Sequence, residues 1–393
     1  MSISKGPQAF PRSEYIRRIS AVKAEMEHRE LDALVITHWA NITYLSGNIT
    51  RMLAQHALVV TSRDEEPKLI VRKMCAPGAY HTSFMEKANV IGYTEELVGK
   101  HDRDGFDAVI DYLIESGVEK RGVGIEMGNL TSQAVAKFVT RLGGARIVDC
   151  TKAVDWVRTY KSDLEIGIMR EAAALADAAI LRAAEVIRPG VREADAAAQI
   201  MVAQVGGGTG PAATGCRPPL LSSSPRTGTP HILWIDDRFR EGTHVNMEVS
   251  GNRYGYMAAL MRTFSLGKPS DRLRRLHEAQ LAGLEAGLNA LKPGRSCHDV
   301  SEDIYRAIGK HGFSKDSRCG YAIGIEGLLT AWVENTASLG RGDATILKPN
   351  MTFHLMLGNW LDEEFGYEIS ETVRLTETGA EALTSAPRIL VEI

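Results

Sequence analysis

The chain has 393 residues, 44% hydrophobic and 24% charged, with a formal net charge of −3. That length allows two domains or one large one with a real core, and the near-neutral balance excludes a strongly charge-driven partner such as nucleic acid or an anionic membrane. No apolar run is long enough to span a bilayer, the opening MSISKGPQAFPRSEY lacks the apolar centre of a secretory signal, and five scattered cysteines without a CxxC pair point to free thiols in a cytoplasmic protein.

In chain order, Ser13 is expected to cap a helix whose apolar positions Ile16, Ile19, Val22 and Met26 follow helical spacing. LDALVIT (31–37), HALVVTS (56–62) and KLIVR (68–72) read as strands, VIDYLIESG (109–117) as a helix and GVGIEM (122–127) as another strand. Strands alternating with helices predict an α/β layer structure over residues 1–160. The composition then changes. An alanine-rich helical pattern (162–188) ends at Pro189-Gly190 and is followed by another helix (191–203). About a hundred residues later, 272–292 ends at Pro293-Gly294 and is followed by 296–312. Strand-like segments follow both pairs, so residues 161–393 are expected to form a pseudo-symmetric domain, and the fold class is α+β with two domains.

Residues 205–231 are rich in Gly, Pro, Ser and Thr but lack the spacing of a phosphate-binding loop, so they read as a long functional connection. It ends at His231, just before ILWID, an expected strand. THVNMEVSG (243–251) and YGYMAALMRTFSLG (254–267) read as a hairpin turning near Asn252, with Glu248 on one strand and Tyr256 and Arg262 on the other. Both charges are costly in a central strand unless partnered, so surface exposure and a structural ion pair stand beside catalysis as readings. RCGYAIGIEG (318–327) carries Arg318 and Tyr321. MTFHLMLGNWLDEEFGYEISETVRLTETG (351–379) reads as two strands joined by an acidic turn, offering His354, Trp360, Glu368 and Glu371.

These segments together resemble the creatinase/prolidase/methionine-aminopeptidase superfamily, the pita-bread fold. RSEYIRRISAVKAEM with LDALVITHWANITYLSG is similar to its N-terminal creatinase-like domain. VRTYKSDLEIGIMREAA is similar to the entry of its catalytic domain, and ILKPNMTFHLMLG and ISETVRLTETGAEALT to the closing strands. The metallopeptidase members hold two metals through Asp, Asp, His, Glu and Glu. At the matching positions stand Glu248, Ala259, Tyr321, Met356 and Ser370, so the expectation is no metal and no other cofactor.

The resemblance implies a metal-independent hydrolase of a C–N bond in a small amidine-like substrate, most like the ectoine hydrolase branch. EGLLTAWVEN departs from that branch but keeps Trp332 and Glu334. It implies Glu248 as the attacking carboxylate and His231 as general acid/base. Glu371 and Glu368 are expected to hold the amidinium, and Arg262 or Arg318 a substrate carboxylate. Tyr321 and Tyr256 are expected to donate hydrogen bonds, and Trp332 and Trp360 to stack on a flat cation. A creatinase-like reaction on another small compound, a metal-dependent Xaa-Pro peptidase and a silent binding module remain alternatives. A homodimer is implied, with Trp39, Asn41 or Arg51 reaching a neighbouring pocket.

Overall fold

The computed structural model describes every residue except 1, 2, 52, 53, 101, 119, 120, 209 and 328–330. It divides into two compact units, residues 1–158 and 159–393.

The first unit is built on a six-stranded sheet in the order β4-β3-β2-β1-β5-β6. The strands are β1 (Ala33–Ile36), β2 (Ala57–Thr61), β3 (Lys68–Arg72), β4 (Val90–Tyr93), β5 (Gly122–Ile125) and β6 (Arg146–Asp149). Val35, Val59, Ile70 and Val123 of these strands share a core with Val109, Ile110 and Phe138 from two covering helices. The first helix, Arg12–His28, starts on Pro11 without a side-chain cap, so Ser13 lies inside the first turn and does not cap it. The fourth helix begins earlier than its apolar pattern, at Gly105, because Asp104 and Asp107 form a capping box there. Asn41 is fully buried and is spoken for: its amide donates to Glu126 at 2.6 Å and Asp155 at 2.9 Å, while its oxygen accepts from Arg158 at 2.8 Å. It ties this unit together and is not an arm for a neighbouring subunit.

The second unit repeats one motif. Helix Asp163–Val186 is capped by Ser162 in a capping box with Glu165, and helix Glu193–Gly206 follows it. Helices Asp271–Ala290 and Cys297–Gly309 repeat the pair, capped by Ser270 and Ser296. Both pairs cover a nine-stranded sheet: β7 (Leu220–Ser223), β8 (His244–Arg253), β9 (Tyr256–Ser265), β10 (Gly320–Gly327), β11 (Ala331–Leu339), β12 (Thr352–Met356), then β15 (Ser370–Leu375), β16 (Ala380–Ala382) and β17 (Val391–Glu392). A separate small hairpin, β13 (Asn359–Asp362) and β14 (Phe365–Tyr367), carries the acidic turn. The closing segment therefore holds four strands where the sequence suggested two, and Glu368 falls just before β15.

Period-two alternation divides the sheet into an oily face and a polar one. Val245, Met247, Val249, Leu260 and Phe264 pack under the first helix pair, and Phe353, Leu355, Val373 and Leu375 under the second. The intervening residues Asn246, Glu248, Thr263, His354 and Ser370 are also buried, on the opposite side. Helix Asp163–Val186 lies so close to β8 that a Cβ on Gly251 would stand 1.8 Å from the Ala172 carbonyl oxygen. The hairpin turns at Tyr254-Gly255, two residues beyond Asn252, with φ of 50° and 84°. Residues 232–236 do not form the expected strand. Leu221 N donates to Ile232 O at 3.0 Å and Ile235 N donates to the Glu193 carboxylate at 2.9 Å, so this backbone is anchored to side chain and strand edge without a continuous ladder.

Arg262 is the strongest internal tie of this unit. It is fully buried and its five N–H groups donate to Met261 O, Ser370 O, Ala386 O, Pro387 O and the Glu371 carboxylate, all at 2.6–2.8 Å. A lysine cannot reproduce that planar fork. Arg262→Lys is therefore expected to cost about 3 kcal/mol or more, a fall in Tm on the order of 6 °C or more. Thermal unfolding of the two proteins checks it, and an unchanged Tm would remove the tie from the account.

Candidate active site

β8 lies between β7 and β9, and Glu248 sits opposite Leu220 on one side and Met261 on the other. Glu248 is 4% exposed, and its Oε1 is buried without a hydrogen-bond partner among the described residues. Burial pushes its pKa up to about 8. Glu368 is also buried, and its pKa is raised well above the usual carboxylate range by burial first and by Glu248 second. Two buried acids this close cannot both ionise cheaply, so one of them retains a proton at neutral pH.

Both acids line one cavity of about 10 Å³, room for about a single water. Asn246 and His231 share that wall, with Leu220, Thr229 and Pro230. Asn246 accepts from Thr263 Oγ1 at 2.8 Å and donates to Thr227 O at 3.2 Å, which fixes its amide. Thr263 Oγ1 also accepts from Glu368 N–H at 3.0 Å, anchoring the second acid's backbone, and lies 3.0 Å from Glu368 O. His231 has φ of 62°, a strained conformation for a residue with a Cβ, and such strain concentrates at functional sites. His231 is exposed and shares the cavity lining with the two acids, at the end of the long connection.

Beyond Glu248 a second polar chain runs across the sheet. Trp332 Nε1–H donates to Tyr321 Oη at 3.0 Å, Tyr321 Oη lies 2.9 Å from His354 Nδ1, and His354 Nε2 lies 2.7 Å from Ser370 Oγ. Ser370 Oγ in turn accepts from Met261 N–H at 2.7 Å. His354 is fully buried, and burial holds its pKa down to about 3, so the ring is neutral and its 3.8 Å approach to Glu248 is not an ion pair.

The expected site residues thus separate. Glu248, Glu368 and His231 meet at one cavity, and Tyr321 and Trp332 stand beside them. Glu371 does not face the acid pair: it accepts from Arg262 at 2.7 Å, Arg388 at 3.1 Å and Thr384. Arg262 has no donor left for a substrate. Tyr256 spends its hydroxyl on Glu165 at 2.7 Å. Trp360 packs against Gly358 and Gly366 on the small hairpin, outside the cavity wall. Arg318 lies with its guanidinium 4.3 Å over the Tyr321 ring, and no hydrogen bond or ion pair engages it among the described residues. Asn246 and Ser370 were not expected in the site, and His354 was noticed without a role. For Asn246 and Ser370 the signal was parity, since each stands two residues from an acid already expected in the site, Glu248 and Glu368, while His354 stands between apolar Phe353 and Leu355 with no expected site residue in step with it.

The residues at the family's metal positions do not fit a pair of divalent ions. Tyr321 and Ser370 are bonded to His354, and Ala259 and Met356 bring a methyl and a thioether. One carboxylate, Glu248, is left, against the four to six donors such sites use.

Comparison with known proteins gives this arrangement its family. Residues 167–377 match the metallopeptidase family M24 and residues 18–160 the creatinase/prolidase N-terminal domain. The chain is 55% identical, over the whole length of both proteins, to an uncharacterised hydrolase/peptidase, y4tL, of Sinorhizobium fredii. It is 35% identical to the ectoine hydrolase of Halomonas elongata, over 97% of this chain and 98% of that one. The crystal structure of dipeptidase PepE from Mycobacterium ulcerans superposes with a TM-score of 0.82 at 22% identity, covering 98% and 99% of the two chains. With both domains matched in order and a two-layered helix-and-sheet catalytic unit in place, the chain belongs to metallopeptidase family M24, a hydrolase family of two-domain creatinase/prolidase pita-bread architecture.

Proposed function

We propose that this protein hydrolyses a C–N bond of a small amidine-like compound, ectoine first among them, by carboxylate attack from Glu248 and without a metal ion. The observation that carries the reading is Glu248 itself: a buried, unpartnered carboxyl oxygen, paired with a second acid and served by a strained histidine. Its support from relatives is the full-length similarity to an ectoine hydrolase.

The chemistry follows from charge. A buried acid with a pKa of about 8 is mostly protonated at neutral pH and a poor nucleophile. An amidinium entering beside it favours the ionised form, so the substrate's own charge activates Glu248, whose proton passes to His231 on the same cavity wall. One carboxylate oxygen then bonds to the amidine carbon, and the C=N electron pair moves to nitrogen. When a C–N bond breaks, the departing nitrogen takes a proton from His231. Water hydrolyses the acyl link, returns Glu248 and completes the conversion of amidine and water into amide and amine. The carbon of an amidinium is already electrophilic, so the step does not require a Lewis acid. Glu368, which keeps its proton beside ionised Glu248, accepts an amidinium N–H through its carbonyl oxygen, and Arg318 is the guanidinium with donors to spare for a substrate carboxylate. The cavity is water-sized in this arrangement, so the loop carrying His231 must move aside for substrate. Among the described residues no helix is long and apolar enough to cross a membrane. A cytoplasmic homodimer is part of the proposal, on the strength of the free thiols and the family resemblance.

Purified protein assayed against ectoine, hydroxyectoine, creatine and Xaa-Pro dipeptides is expected to open ectoine, with turnover unchanged by chelator. Activity confined to dipeptides with added Mn²⁺ or Co²⁺ would sink the proposal. Because Glu248 must ionise, kcat/KM is expected to be low at pH 6 and to rise about tenfold per pH unit until about pH 8. Glu248→Gln is expected to lose ~10³-fold or more in kcat, and a variant turning over at the wild-type rate would remove Glu248 from the nucleophile's role. For His231→Ala the expected loss in kcat is ~10²-fold or more, read in the same assay; a change under tenfold would exclude it as the proton donor.

A further inference from the structure

Glu193 is fully buried at the start of helix Glu193–Gly206 and takes no part in the chemistry proposed above. Among the described residues, its carboxylate bonds all run to the segment that carries His231. One oxygen accepts from Ser223 Oγ and from Arg226 Nη2, both at 2.5 Å, and the other accepts from Ile235 N–H at 2.9 Å. The first oxygen therefore holds the stem that enters the loop and the second the stem that leaves it. Glu193 N–H donates to Asp237 O at 2.9 Å and Phe239 N–H donates to Val191 O at 3.0 Å, so the helix entry and the leaving stem are also joined along their backbones. Charge-assisted bonds kept from water are the strong kind.

Between the stems the loop is pinned once more. Thr227 is buried, its Oγ1 donates to Glu364 O at 2.9 Å, and its carbonyl accepts from Asn246 Nδ2 at 3.2 Å. A Cβ on Gly228 would stand 2.0 Å from Asp362 O, so glycine is what lets the chain lie this close to the turn of the small hairpin. Beyond Gly228 the ties thin out. Thr229, His231 and Leu233 are exposed, and across residues 229–233 the one hydrogen bond to another segment, among the described residues, is that from Leu221 N–H to Ile232 O at 3.0 Å. Trp234 packs on the core under the first helix pair, and Ile235 is back on Glu193. Residues 229–233 are thus a short flap between two fixed ends, and Thr229, Pro230, His231 and Ile232 of it line the acid cavity.

We infer that Glu193 is a positioning residue for His231: by clamping both stems of the loop it confines opening to residues 229–233 and returns the imidazole to the same place on the cavity wall after each substrate enters. The inference rests on the role given to His231 in the hydrolysis proposed above. Glu193 touches neither the substrate nor the acid pair. With the stems released, the imidazole spreads over many positions, few of which reach the departing nitrogen, and proton transfer slows. The acids that receive the amidinium stay as they were, so the clamp acts on kcat and leaves KM nearly unchanged.

Hydrogen exchange of the full-length protein, read by mass spectrometry, tests the clamp without any substrate. In the wild type the Ile235 amide is expected to be protected although its side chain is exposed, with residues 229–233 exchanging about tenfold faster or more. Glu193→Met keeps the length of the side chain and removes both acceptors. It is expected to speed exchange at Ile235 about tenfold or more while Phe239, held by Val191, is unchanged. Equal exchange at Ile235 in the two proteins overturns the clamp, whatever the substrate proves to be. Should Glu193→Met fail to fold, Arg226→Met releases the entering stem alone, and the Arg226-position amide, bonded to Ser223 O at 2.8 Å, becomes the exchange readout with the same two outcomes. In ectoine turnover the clamp variant is expected to lose ~10-fold in kcat with KM changed less than about threefold, and to add nothing to the loss in His231→Ala. Wild-type kcat in the single variant, or a further loss above about threefold on the His231→Ala background, would show that Glu193 does not act through His231 and overturn its assignment. If the wild-type protein does not open ectoine, the proposed reaction falls, while exchange still decides whether Glu193 holds both stems.

Discussion

The buried guanidinium of Arg262 is the tie on which the catalytic unit depends. Taking such a charge out of water is expensive, and it is tolerated here because all five donors meet oxygens, one of them the carboxylate of Glu371. Four of its five partners lie on β15 and on the segment at residues 386–387, about a hundred residues or more away in sequence. The bonds draw β9 and β15 together although the two are not ladder neighbours. The flanking residues of β9 extend the same clasp: Met261 holds Ser370 through its N–H, and Thr263 holds the backbone of Glu368. Three successive residues of one strand thus place the three residues of another segment that shape the site.

That clasp lets the sheet support two acids where the solvent cannot reach them. Glu248 and Glu368 are both driven toward protonation by burial, and Glu248 adds to Glu368's cost of ionising. Left alone, such a pair is only a loss of stability. In the proposed reaction it becomes useful when a cation arrives, because the same poor solvation that suppresses the charge makes the attraction to an amidinium stronger. Glu371, by contrast, is neutralised by Arg262, Arg388 and Thr384, and serves the scaffold. Near-identical residues three positions apart do different work because one side of the strand end faces the acid pocket and the other faces the guanidinium.

The helix pairs, most strands and the division of the chain were legible from periodicity and from Pro-Gly stops, since these are local signals. The burial of Glu248 was legible in part, as a carboxylate between Met247 and Val249 in a strand where a charge is costly. Residues 232–236 were misread as a strand because an apolar run cannot report that its backbone bonds will go to Glu193 and to the edge of β7. Arg262, Tyr256 and Glu371 were expected at the substrate and are instead absorbed by partners far away in the chain. Trp360 lies on a hairpin that the sequence showed as a turn.

The sequence by itself determined the two-unit α+β plan, the doubled helix pair, the polar face of the sheet and the loss of metal-type donors at Ala259 and Met356. Those follow from side-chain chemistry and short-range spacing. Only the tertiary structure decided which polar residues face one another. Hydrogen bonds saturate, so a donor's role depends on what else has taken its protons: Arg262 is spent, while among the described residues no hydrogen bond or ion pair engages Arg318.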